Sequence, residues 1–284
     1  MKKLFIVALL AVLSLMAVEP AHAEDQKVLA IIDTAVDSNK IPSVIYEACF
    51  TDSLSMACPN KQKFMEGKGA ANSPVWPTSM LHGLYHGHNV TQSALAVNPN
   101  LKVVFVRISG ITANGGFSNQ PSSLVNAIKW VSDNASKYSI DAVSISQSSI
   151  SANNLAACTT NTLAIASVSS LNKQNIPVFA ATGNDGSLKS VGFPACVSGV
   201  IGVGALDTKV NLLEKATNKG PGLDIIAERS INVVRYNGTV VEFTATSAAT
   251  PIAAATYLTK NTYSTIDLFI NSFTKVLGYP YIAR

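Results

Sequence analysis

The chain has 284 residues, of which 48% are hydrophobic and 13% charged, with 21 basic against 17 acidic side chains. That composition suits a chain folded around one large core. A net charge of +4, scattered along the sequence, is too small to imply a nucleic-acid partner.

In chain order, Lys2 and Lys3 precede an apolar run from Leu4 to Val18 and then Ala21-His22-Ala23. A positive start, an apolar middle and a small-x-small end describe a secretory signal peptide over residues 1–23. The run is shorter than the ~20 residues that span a bilayer, and no later segment is apolar enough to do so. The mature chain is therefore expected to begin near Glu24, to keep no membrane anchor, and to be exported to a periplasm or the cell exterior. Loss of Lys2, Lys3 and Glu19 leaves 19 basic against 16 acidic residues, a net charge of +3. The remaining residues, 24–284, fit a single domain of about 260 residues with no linker or repeat to divide it.

Val28-Leu29-Ala30-Ile31-Ile32 is a continuous apolar run, the signature of a strand buried on both faces, with Asp33 at its carboxyl end. The stretch between 47 and 80 is rich in Ser, Pro, Lys and Gly and carries Cys49 and Cys58, so it reads as an irregular, disulfide-bearing insertion. Gly87 to Val97 is helical in pattern, and Lys102 to Ile108 is a strand. Pro121 and Ser122 open a helix with Leu124, Ile128, Trp130 and Val131 on its apolar side. Asp141 to Ser146 is a strand, Leu163 to Leu171 a helix, and Pro177 to Ala181 a strand ending at a Gly183-Asn184 turn. Alternation of this kind implies an α/β fold of three layers, a mostly parallel central sheet with helices on both faces. Such sheets carry their sites beyond the carboxyl ends of the strands. Asp33 and Asn184 follow strands, while His86 and Ser247 precede helices, so all four belong to one rim.

Four cysteines, Cys49, Cys58, Cys158 and Cys196, allow three pairings that sequence alone does not separate. The favoured set is Cys49 with Cys58, closing a short loop, and Cys158 with Cys196, stapling a surface loop. Free thiols or a metal site are the alternatives, and the lack of a C-x-x-C pair argues against zinc.

Three segments supply an acid, a base and a hydroxyl: Asp33-Thr34-Ala35, His86-Gly87-His88-Asn89-Val90 and Ala245-Thr246-Ser247-Ala248-Ala249-Thr250-Pro251. A serine hydroxyl is a poor nucleophile at neutral pH. It must pass its proton to an imidazole that a buried carboxylate orients. His82, His86 and His88 are the only histidines of the mature chain. His82 and His86 have i, i+4 spacing, but no glutamate lies between them and no third metal ligand is evident. Gly183 to Ser190 nearly spells a phosphate-binding loop and fails at Leu188, where a glycine is required.

In their order and wording these segments resemble the subtilisin-like serine peptidases (subtilases), whose patterns read D-S/T-G, H-G-T-H-V-A-G and G-T-S-M-A-S-P. Ala180-Ala181-Thr182-Gly183-Asn184 is similar to the family's A-A-G-N stretch, and Ser146-Gln147-Ser148-Ser149 to its S-L-G-G strand. The resemblance covers about Val28 to Leu258. It implies a subtilisin-like fold and an exported serine endopeptidase in which Ser247 attacks, His86 transfers protons, Asp33 orients His86 and Asn184 donates to the oxyanion. Thr182, Gly183 and residues 146–149 would then bind an extended polypeptide substrate. No metal or other cofactor is required for that chemistry, and the motifs neither require nor exclude a structural Ca²⁺. The chain departs from the patterns at Ala35, Ala245, Ala248, His88 and Asn89, and at Ser148 and Ser149 where the family has glycines. Only Glu24 to Ile32 separate the expected cleavage point from Asp33, leaving no room for a folding pro-segment, so the domain either folds unaided or depends on a partner. The rival readings are a degenerate family member that binds peptides without cleaving them and a secreted esterase. The esterase lacks a G-x-S-x-G elbow around Ser247.

Overall fold

A computed structural model describes residues 26–52, 57–72, 84–111, 117–119, 121–260 and 265–283. The expected signal peptide, Glu24 and His82 lie outside the described residues.

The scaffold follows from β1 (Val28–Asp33), whose six residues are all buried. Leu29 and Ile31 point into one core and Val28, Ala30 and Ile32 into another, which is why the run is apolar at every position. β1 pairs in parallel with β4 (Lys102–Arg107) on one side and β5 (Ile140–Ile145) on the other. Parallel ladders continue from β5 to β6 (Val178–Ala181), β7 (Val200–Asp207), β8 (Ile225–Glu228) and β11 (Tyr279–Ile282). Beyond β4 lie β2 (Val44–Phe50), in parallel, and β3 (Phe64–Glu66), antiparallel. Two short antiparallel strands, Leu212–Leu213 on β7 and Lys275–Val276 on β11, complete an eleven-stranded sheet among the described residues.

Helices cover both faces. α2 (Pro121–Asn134) and α4 (Thr162–Lys173) pack on one through Leu124, Ile128, Val168 and Leu171. α1 (His86–Val97) and α5 (Thr246–Thr259) pack on the other through Val90, Ala94 and Ile252 with the alanines beside it. α5 is buried over Ala248–Thr256 because its side chains are small enough to let the helix lie between the sheet and α1. The mostly parallel three-layer architecture expected from sequence is thus the one observed. The chain leaves β1 toward β4 on one side and later returns to β5 on the other, so the crevice where strand order reverses opens at the carboxyl end of β1, at Asp33.

One reading is corrected. The stretch from 47 to 80 is not irregular throughout, because Val44–Phe50 and Phe64–Glu66 are sheet strands; residues 53–56 and 73–80 lie outside the described residues. The polar Glu47 masked the strand. It is buried because its carboxylate accepts from the Gly69 and Ala71 amides at 2.9 and 3.0 Å, partners that no local pattern reveals. The helix α3 (Ala152–Thr160), the strands β7 and β8 and the hairpin of β9 (Ser230–Val234) with β10 (Val240–Thr244) were not anticipated. In β7, Gly202 and Gly204 interrupt the strand signal.

The four cysteines pair as favoured, Cys49 with Cys58 and Cys158 with Cys196, across Cα separations of 5.9 and 5.5 Å. The second bond ties α3 to the segment that carries Phe193.

Gly87, the second residue of α1, sets how closely this helix meets the sheet. A Cβ there would crowd the Phe105 ring and stand 3.0 Å from the Ala35 carbonyl and 3.2 Å from Asp33 Cβ. Gly87→Ala is therefore expected to destabilise the protein by about 1–3 kcal/mol through overpacking, read as a lowered denaturation midpoint. An unchanged midpoint would mean that α1 does not need this approach.

Candidate active site

Asp33 is fully buried, and its Oδ1 accepts from the Thr34 amide and from His86 Nδ1, each at 2.7 Å. Its Oδ2 is buried with no hydrogen-bond partner among the described residues. The next residue completes the docking. Thr34 Oγ1 accepts from the Gly87 amide at 2.8 Å, and the Ala35 amide donates to the Leu84 carbonyl at 2.8 Å. α1 has no side-chain cap of its own, so Thr34 satisfies one of the amides that a helix start leaves unpaired. Strand exit and helix entry are thus joined crosswise, and His86 has little freedom to turn.

With Nδ1 committed to Asp33, His86 presents Nε2 as its other ring nitrogen, and 24% of the side chain remains exposed. Phe243 of β10 packs edge-on against the ring, with centroids 5.2 Å apart. Gln147 Nε2 lies 3.4 Å from Nδ1, too far to displace a carboxylate at 2.7 Å. Burial of the ring opposes its protonation, but the charge of Asp33 and the hydrogen bond to it outweigh burial, so the His86 pKa lies above the usual histidine value. His88, two residues on, behaves differently. It is buried with Nδ1 unpartnered among the described residues, and burial pulls its pKa down to about 4 despite the opposing influence of Asp37. A neutral core histidine accounts for His88.

Ser247 is the second residue of α5, and two features hold it at the same rim. Pro251, four residues later, has no N–H to give the Ser247 carbonyl, so the helix leaves that oxygen open. Ser146 Oγ fills the gap, donating to the Ser247 carbonyl at 3.0 Å and so fastening the helix start to the end of β5. The Ser247 hydroxyl itself donates to the Ser146 carbonyl at 3.5 Å, a long contact, rather than to His86. The start of α5 is capped from outside as well: Asn184 Oδ1 accepts from the Thr246 amide at 3.2 Å and from its hydroxyl at 2.8 Å. With Oδ1 taken, Asn184 has Nδ2 left for the cleft.

Asn218 holds the loop that carries Asn184. Fully buried, it donates from Nδ2 to the Thr182 carbonyl and Asp185 Oδ2 at 3.1 and 2.9 Å, accepts from the Asp185 and Ser187 amides at 3.0 Å, and donates its own amide to the Gly183 carbonyl at 2.9 Å. Gly183 adopts φ +105°, which an L side chain rarely tolerates.

These pieces enclose a cleft of about 340 Å³ bordered by Thr34, His86, Ser146, Gln147, Ser148, Gly183, Asn184, Thr246 and Ser247. The expected Asp33, His86, Ser247 and Asn184 are thereby brought to one rim, with Asp33 behind His86. Ser149 and Thr182 are not in the cleft lining. Ser149 exchanges backbone hydrogen bonds with Phe193, and Thr182 is fully buried behind Gly183. Sequence reasoning missed the roles of Thr34, Thr246 and Asn218. The first two sit inside the motifs, but nothing local marks Asn218. A larger cavity of about 560 Å³ lies at the opposite, amino-terminal ends of β6 and β7, away from these groups.

Comparison with known proteins is consistent with this geometry. The subtilase family profile matches residues 25–263. The chain is similar to "Subtilisin DY" of Bacillus licheniformis, 27% identical over 62% of this chain and 60% of that one, so it spans under two thirds of that relative. It is also similar to "Subtilisin" of Bacillus pumilus, 30% identical over 68% of this chain and 70% of the relative. Among solved structures, it resembles the protease domain of PatA with a TM-score of 0.64 at 17% identity, covering 90% of this chain and 91% of that one. The maturation protease PagA gives a TM-score of 0.57 at 19% identity over 82% and 76% of the two chains. These two likenesses concern the fold.

Ala245, immediately before α5, has φ +70° and ψ −163°, a conformation essentially reserved for glycine. Such strain costs about 1–3 kcal/mol, whereas the extra freedom of glycine in the unfolded chain costs about 0.4–1 kcal/mol. Strain wins. Ala245→Gly is expected to stabilise the protein by about 1 kcal/mol, measured as a raised denaturation midpoint; a lowered one would show that the alanine is not strained.

Proposed function

The chain belongs to the subtilase family of serine peptidases, and on that premise we propose that it is an exported endopeptidase that hydrolyses peptide bonds through an acyl-enzyme. Ser247 Oγ attacks the peptide carbonyl as His86 Nε2 takes its proton, and Asp33 holds the imidazole in the required tautomer and stabilises its charge. Asn184 Nδ2 and the Ser247 amide face the oxygen that becomes negative, a contribution of about 3 kcal/mol per donor in such sites. The amino-terminal end of α5 adds a favourable field. His86 then protonates the leaving amine, and water releases the acyl group by the same steps reversed.

The observation that carries the reading is the 2.7 Å contact between buried Asp33 and His86 Nδ1 beside a cleft that also contains Ser247. A rotation of the Ser247 side chain, from the Ser146 carbonyl toward His86, is the movement it requires. Export is supported by the charged and apolar amino terminus and by two disulfides, which persist in oxidising compartments. A second reading, a binder that does not cleave, draws on the resting position of the Ser247 hydroxyl.

Purified mature protein is expected to degrade unfolded casein and to be labelled by a fluorophosphonate. Ser247→Ala should abolish labelling and lower cleavage by more than about 10⁴-fold. A folded wild type that neither cleaves nor is labelled would favour the binder.

The raised His86 pKa sets the acid limb of the pH profile. The base accepts a proton only when neutral, so kcat/KM should climb with pH and reach half its plateau above about 6.5, the ordinary histidine value. Asp33→Asn removes the charge that raises this pKa. The limb should move to lower pH while the plateau falls by about 10⁴. A limb unmoved by that substitution would place the controlling titration elsewhere.

A further inference from the structure

We infer that Ser148 determines specificity in this cleft: its hydroxyl fills the space into which the substrate residue that donates the attacked carbonyl would put its side chain, restricting that residue to glycine or alanine. This rests on the hydrolase reading and adds a substrate class to it.

Two walls of the cleft adjoin Ser247 and Asn184: Ser146, Gln147 and Ser148 after β5, and Ala181, Gly183 and Asn184 at the end of β6 and beyond it. With the attacked carbonyl held by Ser247 and Asn184, the adjoining substrate side chain would enter between the walls. Across the inner end of these walls runs the backbone at Gly192 and Phe193, whose amides donate to the Thr182 and Ser149 carbonyls at 2.8 and 2.9 Å. Gly192 is buried and does not line the cleft, whereas Ser148 does. A Cβ built on Gly192 would collide with Ser148 Oγ, and one on Gly183 would stand 2.9 Å from it. The hydroxyl is wedged between two glycines.

Nothing in the fold accounts for a hydroxyl at this point. Ser148 Oγ is buried without a hydrogen-bond partner among the described residues, an arrangement that opposes stability. Beside it lies a small space of about 40 Å³, bordered by the buried apolar side chains of Ile108, Leu124 and Phe193 and by the polar Gln147, Ser149 and Asn154. Gln147 and Ser148 border both this space and the cleft and together form the partition between them. Loss of the Ser148 side chain would deepen the cleft toward this space, where Ile108, Leu124 and Phe193 offer apolar surface.

The test uses two quenched peptides identical except for alanine or phenylalanine on the acyl side of the scissile bond, with casein as a general substrate. Wild type should favour alanine by at least about tenfold in kcat/KM. Ser148→Gly should raise the ratio of kcat/KM for the phenylalanine peptide over that for the alanine peptide by about 10–100-fold. A merely structural role would move both alike. If Ser148→Gly fails to fold by circular dichroism, Ser148→Ala, which removes only the hydroxyl, should shift the ratio the same way. Casein cleavage with phenylalanine preferred by wild type, or a ratio unmoved by the folded variant, overturns the inference and leaves the hydrolase reading standing. No cleavage of casein or of either peptide overturns both.

Discussion

A carboxylate buried at the end of the central strand is the constraint around which this molecule is arranged. Asp33 has no exposed surface, and removing such a charge from water is costly unless something answers it. The Thr34 amide and His86 Nδ1 both do so at one oxygen. The demand works in two directions. It draws the start of α1 down onto the exit of β1, where Thr34 and Gly87 add a second bond, and it leaves His86 with a raised affinity for a proton and one free ring nitrogen. The same contact packs the helix on the sheet and sets the orientation of the imidazole.

The two helices that carry His86 and Ser247 share a device. Neither has a side-chain cap from its own preceding residue. Thr34 supplies one cap and Asn184 the other, each from a segment following a sheet strand. Helix starts are short of acceptors for their amides, so trans capping fixes each helix to the sheet rim beside the cleft. Pro251 extends the scheme by opening a carbonyl in α5 for Ser146 to bind. Both contacts place Ser247 in register with the cleft walls.

The departures from the family pattern have unequal consequences. Ala35 replaces glycine at a position that does not adopt positive φ, and its amide is bonded to Leu84, so a Cβ there is harmless. Ala245 replaces glycine where φ is +70°, and the strain sits one peptide from the start of α5. Asn89, which lies in an Asn-x-Ser/Thr-like sequon, is buried within α1 and is not presented for modification.

Sequence by itself determined the layers and the four residues of the rim. A run that is apolar at every position, as from Val28 to Ile32, requires cover on both faces, and alternation with helical patterns makes the sheet parallel. Motif order then selected Asp33, His86, Asn184 and Ser247. Tertiary structure alone decided the rest, because it depends on contacts between segments far apart in the chain. Glu47 is a strand residue only because the amides of Gly69 and Ala71 reach it. Asn218 supports the loop of Asn184 from more than thirty residues away. Whether Ser148 or Ser149 faces the cleft turned on which of them pairs with Phe193, a choice made by the segment across the cleft and invisible in the run of serines.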